Sequence, residues 1–294
     1  MKKMIVLISA TLVCAWAHAG QVRSADGRVS VHPEVQSGYN YPVYSLDFRD
    51  TIALPFCPDY TGYSRRISSD GSIISGQLYG FDENGDLMDM RAATWERTEL
   101  IDNVPYYSGP CLLPSLGEGQ FNAMFDMSCN GHYVVGHCIL KQDSSISASY
   151  QAVYWDRNGD VYSLGTMFYN SIWYNSSIAH HVRDDGMIFG TTYNADGEGE
   201  ILAFIWDKEH GMRYLKDVLE RNYGYDFGTA ILTSVEFLNP EGTIIYGNGF
   251  NSAGDIFHWQ VTVPEPASVF LLAFGGVLLR RWKRTRCATD DCGA

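Results

Sequence analysis

Short apolar runs closed by a glycine or a tryptophan recur along the middle of the chain. Four segments share one phrase: "SSDGSIISG" (68–76), "SCNGHYVVG" (128–136), "RDDGMIFG" (183–190) and "NPEGTIIYG" (239–247). Each is a polar turn with a glycine, an aliphatic or aromatic run, and a second glycine. The first glycines, Gly71, Gly131, Gly186 and Gly242, are 60, 55 and 56 residues apart. The second glycines are Gly76, Gly136, Gly190 and Gly247. Each phrase leads to an apolar strand ending in tryptophan: "RAATW" (Trp95), "QAVYW" (Trp155), "LAFIW" (Trp206) and "DIFHW" (Trp259), spaced 60, 51 and 53 apart. Two markers that keep step identify an internal repeat.

Between the markers lie turn signals, "DENGD" (82–86), "NADGEG" (194–199) and "NSAGD" (251–255), whose Asn-Gly and Asp-Gly pairs suit tight hairpins. A further short strand follows each tryptophan except the last ("PSLG", "VYSLG", "MRYL"), and another precedes each phrase ("FNAMFDM", "SSIAHHV"). The units, centred on 64–117, 121–165, 176–215 and 230–259, therefore hold four strands each. This predicts an all-β, β-propeller-like array of about four four-stranded blades, with each tryptophan packed between neighbouring sheets. The fourth unit lacks its last strand. The N-terminal "YPVYSLDF" (41–48) repeats "VYSL" of Val161 to Leu164, so strand 41–48 is expected to complete the last blade and close the ring. An open β-sandwich is the competing architecture.

The two ends change the picture from a soluble domain to an exported one. Residues 1–19 have a positive start (Lys2, Lys3), an apolar core and an Ala17-His18-Ala19 site, the order of a secretory signal peptide. Cys14 follows Leu12-Val13 rather than the small residues a lipidation site needs. At the other end, "VPEPASVFLLAFGGVLLRRWKRTR" (263–286) places 13 uncharged residues, Ala267 to Leu279, before Arg280, Arg281, Lys283 and Arg284. A straight span needs roughly 20 residues, and basic residues mark a cytoplasmic stop, so a short C-terminal hydrophobic helix with transient membrane contact is expected.

Pro264-Glu265-Pro266, the apolar run and Arg280-Arg281 together resemble the PEP-CTERM sorting signal of Gram-negative bacteria. The chain departs from that pattern by adding "TRCATDDCGA" after its arginines, of which 287–294 is a separate tail. The resemblance implies an exosortase and the secretion machinery as partners, and company with genes for exopolysaccharide. The repeats in turn resemble the HAF family of extracellular repeats, through "NGHYVVGH", "LAFIW" and "SLGTM" (163–167). That resemblance implies an extracellular setting and carries no catalytic residues.

Charge narrows the partners. The termini outside 21–263 hold seven of the 21 Lys and Arg and three of the 34 Asp and Glu, which leaves 14 basic against 31 acidic groups, a net of −17. Such a surface repels DNA, RNA and anionic lipid, so nucleic acid is excluded as a partner. Four cysteines fall in the body 20–262: Cys57, Cys111, Cys129 and Cys138. Export favours disulfides and allows three pairings. Cys57 and Cys111, both beside prolines, can meet, whereas Cys129 and Cys138 bracket one strand.

Candidate chemistry is sparse. No nucleophile elbow, His-Glu-x-x-His or phosphate loop is present, so no catalytic residue is assigned and no cysteine–histidine spacing suggests a metal. His180 and His181 precede Asp184 and Asp185, but neighbours on a regular strand face opposite ways, which separates the two rings. His132, His137 and His258 fall in or beside strands, as core or edge residues. "DENGD" (Asp82, Asn84, Asp86) and "DRNGD" (Asp156, Asn158, Asp160) offer alternating oxygens, yet Ala93 and Met167 stand where a calcium loop has its glutamate; calcium is the one cofactor these turns admit. Aromatic clusters at 41–48, 169–175 and 221–227 can stack on sugar rings, with Tyr169, Trp173 and Tyr174 as the candidate glycan-binding residues. The expected role is that of an exported cell-surface or exopolysaccharide-matrix protein, structural, adhesive or glycan-binding, with exopolysaccharide or surface proteins as partners. The competing role is a secreted polysaccharide-active or metal-dependent enzyme on the same scaffold.

Overall fold

A computed structural model describes residues 23–36, 39–47, 50–55, 60–117, 121–140, 149–194, 200–239 and 242–263. The signal segment 1–19, the sorting residues Pro264, Glu265, Pro266, Arg280 and Arg281 with the C-terminal helix, and Cys57 lie outside the described residues.

The chain is all-β, with one short helix among the described residues, and it forms five main sheets in chain order. The first holds β1 (Val29–Gln36), β2 (Tyr39–Leu46) and β3 (Asp50–Ala53). The second holds β4 (Tyr60–Ile67), β5 (Ile73–Phe81), β6 (Leu87–Ile101) and β7 (Val104–Tyr107), with β8 (Cys111–Leu112) also on β6. The third comprises β9 (Asn122–Met127), β10 (Tyr133–Ile139), β11 (Tyr150–Asp156) and β12 (Val161–Ser163). A separate hairpin, β13 (Met167–Tyr169) and β14 (Ile172–Tyr174), precedes the fourth sheet of β15 (Ser176–Val182), β16 (Ile188–Tyr193), β17 (Leu202–Asp207) and β18 (Gly211–Tyr214). Helix α1 (Leu215–Tyr223) then leads to β19 (Ile231–Leu238), β20 (Ile244–Phe250) and β21 (Ile256–Thr262).

Each pair of successive sheets shares one core. Val29, Val31 and Tyr44 meet Ile67, Ile74 and Trp95 between the first and second. Ile73 and Ala92 meet Met124, Val134 and Trp155 between the second and third. Val135 and Ala152 meet Ala179, Ile188 and Phe204 between the third and fourth, and Phe189 and Leu202 meet Leu232, Ile245 and Trp259 between the fourth and fifth. The paired aliphatics of each phrase follow from this stacking. Neighbouring residues of a strand point to opposite faces, so Ile73 and Ile74, Val134 and Val135, or Ile188 and Phe189, each serve a different interface. A sheet buried on both faces needs a continuous apolar run rather than alternation.

The two glycines of the phrase have separate causes. Gly71, Gly131, Gly186 and Gly242 turn the chain with φ of 67°, 71°, 82° and 66°, a region costly for side chains. At the second glycine the neighbouring strand crowds in: a Cβ on Gly76, Gly136, Gly190 or Gly247 would overlap the carbonyl oxygen of Tyr63, Ala123, Ile178 or Ser234. Opposite each of them the first strand of the unit carries a β-bulge, at Arg65, Phe125, His180 and Glu236. The bulge kinks that strand, and a glycine makes room.

Three sequence expectations are corrected. First, the strand at 41–48 does not complete the last sheet; β2 lies between β1 and β3 in a sheet of its own. That sheet opens with a fifth copy of the turn, "SADG", in which Gly27 has φ 72° and Ser24 bonds both N–H and hydroxyl to Val29 as Ser68 does to Ile73. Arg23 bridges to Ser30, a vestige of a first strand. Among the described residues the units therefore number five. Second, Trp259 is out of step. Trp95, Trp155 and Trp206 pair with Ile74, Val134 and Ile188, two residues before the second glycine, whereas Trp259 pairs with Gly247 itself and Val261 holds the equivalent place. Third, Trp206 is only half-buried and rests on Tyr154, ring centres 5.4 Å apart. Trp95 and Trp155 are fully buried, and their indole N–H groups donate to the carbonyls of Pro55 and Pro114, both at 2.7 Å. Each of these two fastens the trailing end of the preceding sheet.

Candidate functional site

Two arrangements carry chemistry. The first is a row of side chains on the first strands of the second, third and fourth sheets. Arg66 on β4 donates from Nε to Asp126 on β9 at 2.7 Å, and His181 on β15 sets Nδ1 3.5 Å from the other carboxylate oxygen. The backbone N–H of Val182 also reaches that oxygen, at 3.3 Å. Burial pushes the Asp126 carboxyl upward, but the His181 bond and the Arg66 charge outweigh it and hold the group below the usual range.

The bulge residues form a parallel row. Arg65 holds its guanidinium carbon 5.1 Å from the Phe125 ring centre, and His180 meets that ring edge-on at 5.2 Å. His137 on β10 stands 5.6 Å from Phe125 and 4.8 Å from Tyr150. Burial first, then the charges of His181, His137 and Arg65, depress the His180 imidazole to about 3, and its Nε2 lies 3.1 Å from the Thr191 hydroxyl. The bulge falls on His180 and interrupts strict alternation there, and the two rings keep different partners, Phe125 and Thr191 for His180 and Asp126 for His181. Among the described residues, no three His, Cys, Asp or Glu groups gather to hold a metal.

The second arrangement is the β13–β14 hairpin. Asn170 and Ser171 both take positive φ, 49° and 65°, the geometry of a two-residue type I′ turn. The strands alternate cleanly. Met167 and Tyr174 are buried, and Tyr169 packs against Tyr214 at 4.9 Å. Phe168 and Trp173 face outward opposite each other, 62% and 56% exposed with ring centres 5.9 Å apart. Of the three candidate glycan-binding residues, Trp173 is thus presented to solvent, Tyr169 is half-buried and Tyr174 belongs to the core. Phe168 was missed, and the alternation around the turn is the signal that finds it. In the other two aromatic clusters Tyr44, Tyr225 and Phe227 are buried.

The remaining candidates serve structure. Asp82 accepts the N–H groups of Asn84 and Asp86 at 2.8 and 2.9 Å, and Asp156 accepts those of Asn158 and Asp160 at 2.9 and 3.1 Å. Asn251 does the same for Ala253 and Asp255. These oxygens close hairpin turns. Cys111 has an exposed free thiol, and Cys138 is buried where it accepts the Leu116 N–H. Among the described residues no helix is long and apolar enough to cross a membrane.

No family model and no curated protein matches the sequence. The structure is similar to oligogalacturonate lyase from Vibrio parahaemolyticus, with a TM-score of 0.50 and 11% identity over 85% of this chain and 62% of that one. The chain thus spans less than two thirds of that protein's length. A TolB-like protein from Agrobacterium tumefaciens aligns with a TM-score of 0.43 and 11% identity over 84% of this chain and 90% of that one. The described strands make the chain all-β, and the likeness to the first of these structures supports a propeller-like fold.

Proposed function

We propose that this is an exported, exosortase-sorted protein of the cell surface or exopolysaccharide matrix, holding extracellular polysaccharide by stacking sugar rings on Phe168 and Trp173. The exposed ring pair on a rigid turn is the observation that carries the reading. A flat apolar face presented by a preformed hairpin binds a pyranose ring with little ordering cost. The signal-like start, the Pro-Glu-Pro segment and the basic end support export and sorting, and the net of −17 on the body suits a protein kept apart from anionic lipid and nucleic acid. The five-sheet scaffold supplies a stable mount. The remaining connections of the array, including any ring closure, belong to the same proposal.

The test is retention of the purified full chain on matrix polysaccharide extracted from the source cells. W173A and F168A are each expected to weaken retention about tenfold with the melting temperature unchanged. EDTA should leave retention intact, since the turn carboxylates are engaged by backbone N–H groups. Undiminished retention in both variants would remove the hairpin from the proposal.

A further inference from the structure

Arg65 is the anomaly of the row of bulge residues. Its neighbour Arg66 is paired with Asp126, yet the half-buried Arg65 finds no acceptor for its guanidinium among the described residues and has the Phe125 face beneath it. In a chain with so large an acidic surplus, a guanidinium left without a carboxylate is unexpected. Its charge is felt at Tyr79, which stands 6.3 Å from Tyr63, and at His180. A second, independent feature lies beside it. His137 is 7% exposed and its Nδ1 has no hydrogen-bond partner among the described residues, a loss worth about 1–3 kcal/mol when nothing supplies it.

A guanidinium offers a planar fork of donors that matches a carboxylate. Aromatic rings at Tyr63 and Tyr79 suit a sugar ring, and an imidazole suits a sugar hydroxyl. We propose that Arg65, with Phe125 beneath it and His180 and His137 beside it, binds the carboxylate of a uronate residue in an acidic saccharide. This site is separate from the hairpin and does not rest on Phe168 or Trp173. The carboxylate takes the free fork of Arg65, and a ring hydroxyl supplies the partner His137 lacks. The acidic surface elsewhere repels a polyanion, so recognition is confined to this one place.

Calorimetric titration of the purified full chain with D-glucuronate tests it, with glucose and acetate as the ring without the charge and the charge without the ring. Saturable binding of glucuronate is expected, with glucose and acetate each at least about tenfold weaker. R65Q should lose about tenfold or more, and R65K, which keeps the charge without the fork, should fall between R65Q and the parent. The imidazole resonances of His137 and His180 should shift on saturation in the parent and not in R65Q. I256A, at an exposed position outside both the hairpin and the Arg65 row, should bind glucuronate as the parent does. Equal binding by R65Q, R65K and the parent, or equal binding of glucose and glucuronate, would overturn the assignment.

Discussion

The His137 ring sits between Phe125 and Tyr150, and burial depresses its imidazole from 6.5 to about 4. Above pH 6.5 the ring is neutral in the folded and the unfolded chain, and it costs nothing. As pH falls, the unfolded chain takes up a proton that the folded ring refuses until about pH 4, so stability is lost across that window. The limit is on the order of 3 kcal/mol. His180 adds in the same direction, reduced by its partial exposure. Asp126 acts elsewhere. Its carboxyl is held below the usual 3.8, so its contribution survives this window and is lost only at lower pH. Urea unfolding between pH 7 and 4.5 should therefore show falling stability, and H137Q should lose about half of that slope. An unchanged slope in H137Q would mean that the ring is protonated within the fold.

At the scale of the element, the fastening tryptophans decide how neighbouring sheets hold together. Trp155 fills the core between the second and third sheets and bonds the Pro114 carbonyl, whose segment follows β8. W155F keeps most of the ring but leaves that carbonyl unpaired and should cost about 1–2 kcal/mol, against about 3–5 kcal/mol for W155A, read from denaturant midpoints. Equality of W155F with the parent would show that the bond to Pro114 ties nothing. This element was legible because glycine turns and a terminal tryptophan recur with it. What stayed hidden has physical reasons. The first sheet escaped recognition because its turn "SADG" leads to His32 where the other copies have a second glycine, and no first strand is described opposite to demand one. The slip of Trp259 shows only against its partner strand. The row of bulge residues was out of reach because nothing in Ala179-His180-His181 encodes an inserted residue; the bulge is visible in the crowded glycine across from it. In the hairpin the cluster at 169–175 was legible, and which rings face outward depended on a turn at Asn170 and Ser171 that needs no glycine.

For the whole molecule, five sheets follow one another in chain order, and each unit gains stability from its neighbours. Among the described residues the apolar cores join adjacent sheets. The Asp126 carboxylate does more, since it receives Arg66 from the second sheet and His181 and Val182 from the fourth while standing on the third. Removing it leaves Arg66 half-buried without a counter-charge, a loss of about 3–5 kcal/mol when such a pair is broken on one side. Because the loss falls on three units at once, it should also loosen their coupling. The parent is expected to unfold in one transition, with far-ultraviolet dichroism and tryptophan fluorescence coinciding. In D126A the two probes should separate, as the part holding Trp95 and Trp155 parts company with the part holding Trp206 and Trp259. D126N, which keeps an oxygen for Arg66, should fall between the two. Coincident probes in D126A, with a midpoint shift worth less than about 1 kcal/mol, would place the cooperativity of the array in its apolar interfaces alone.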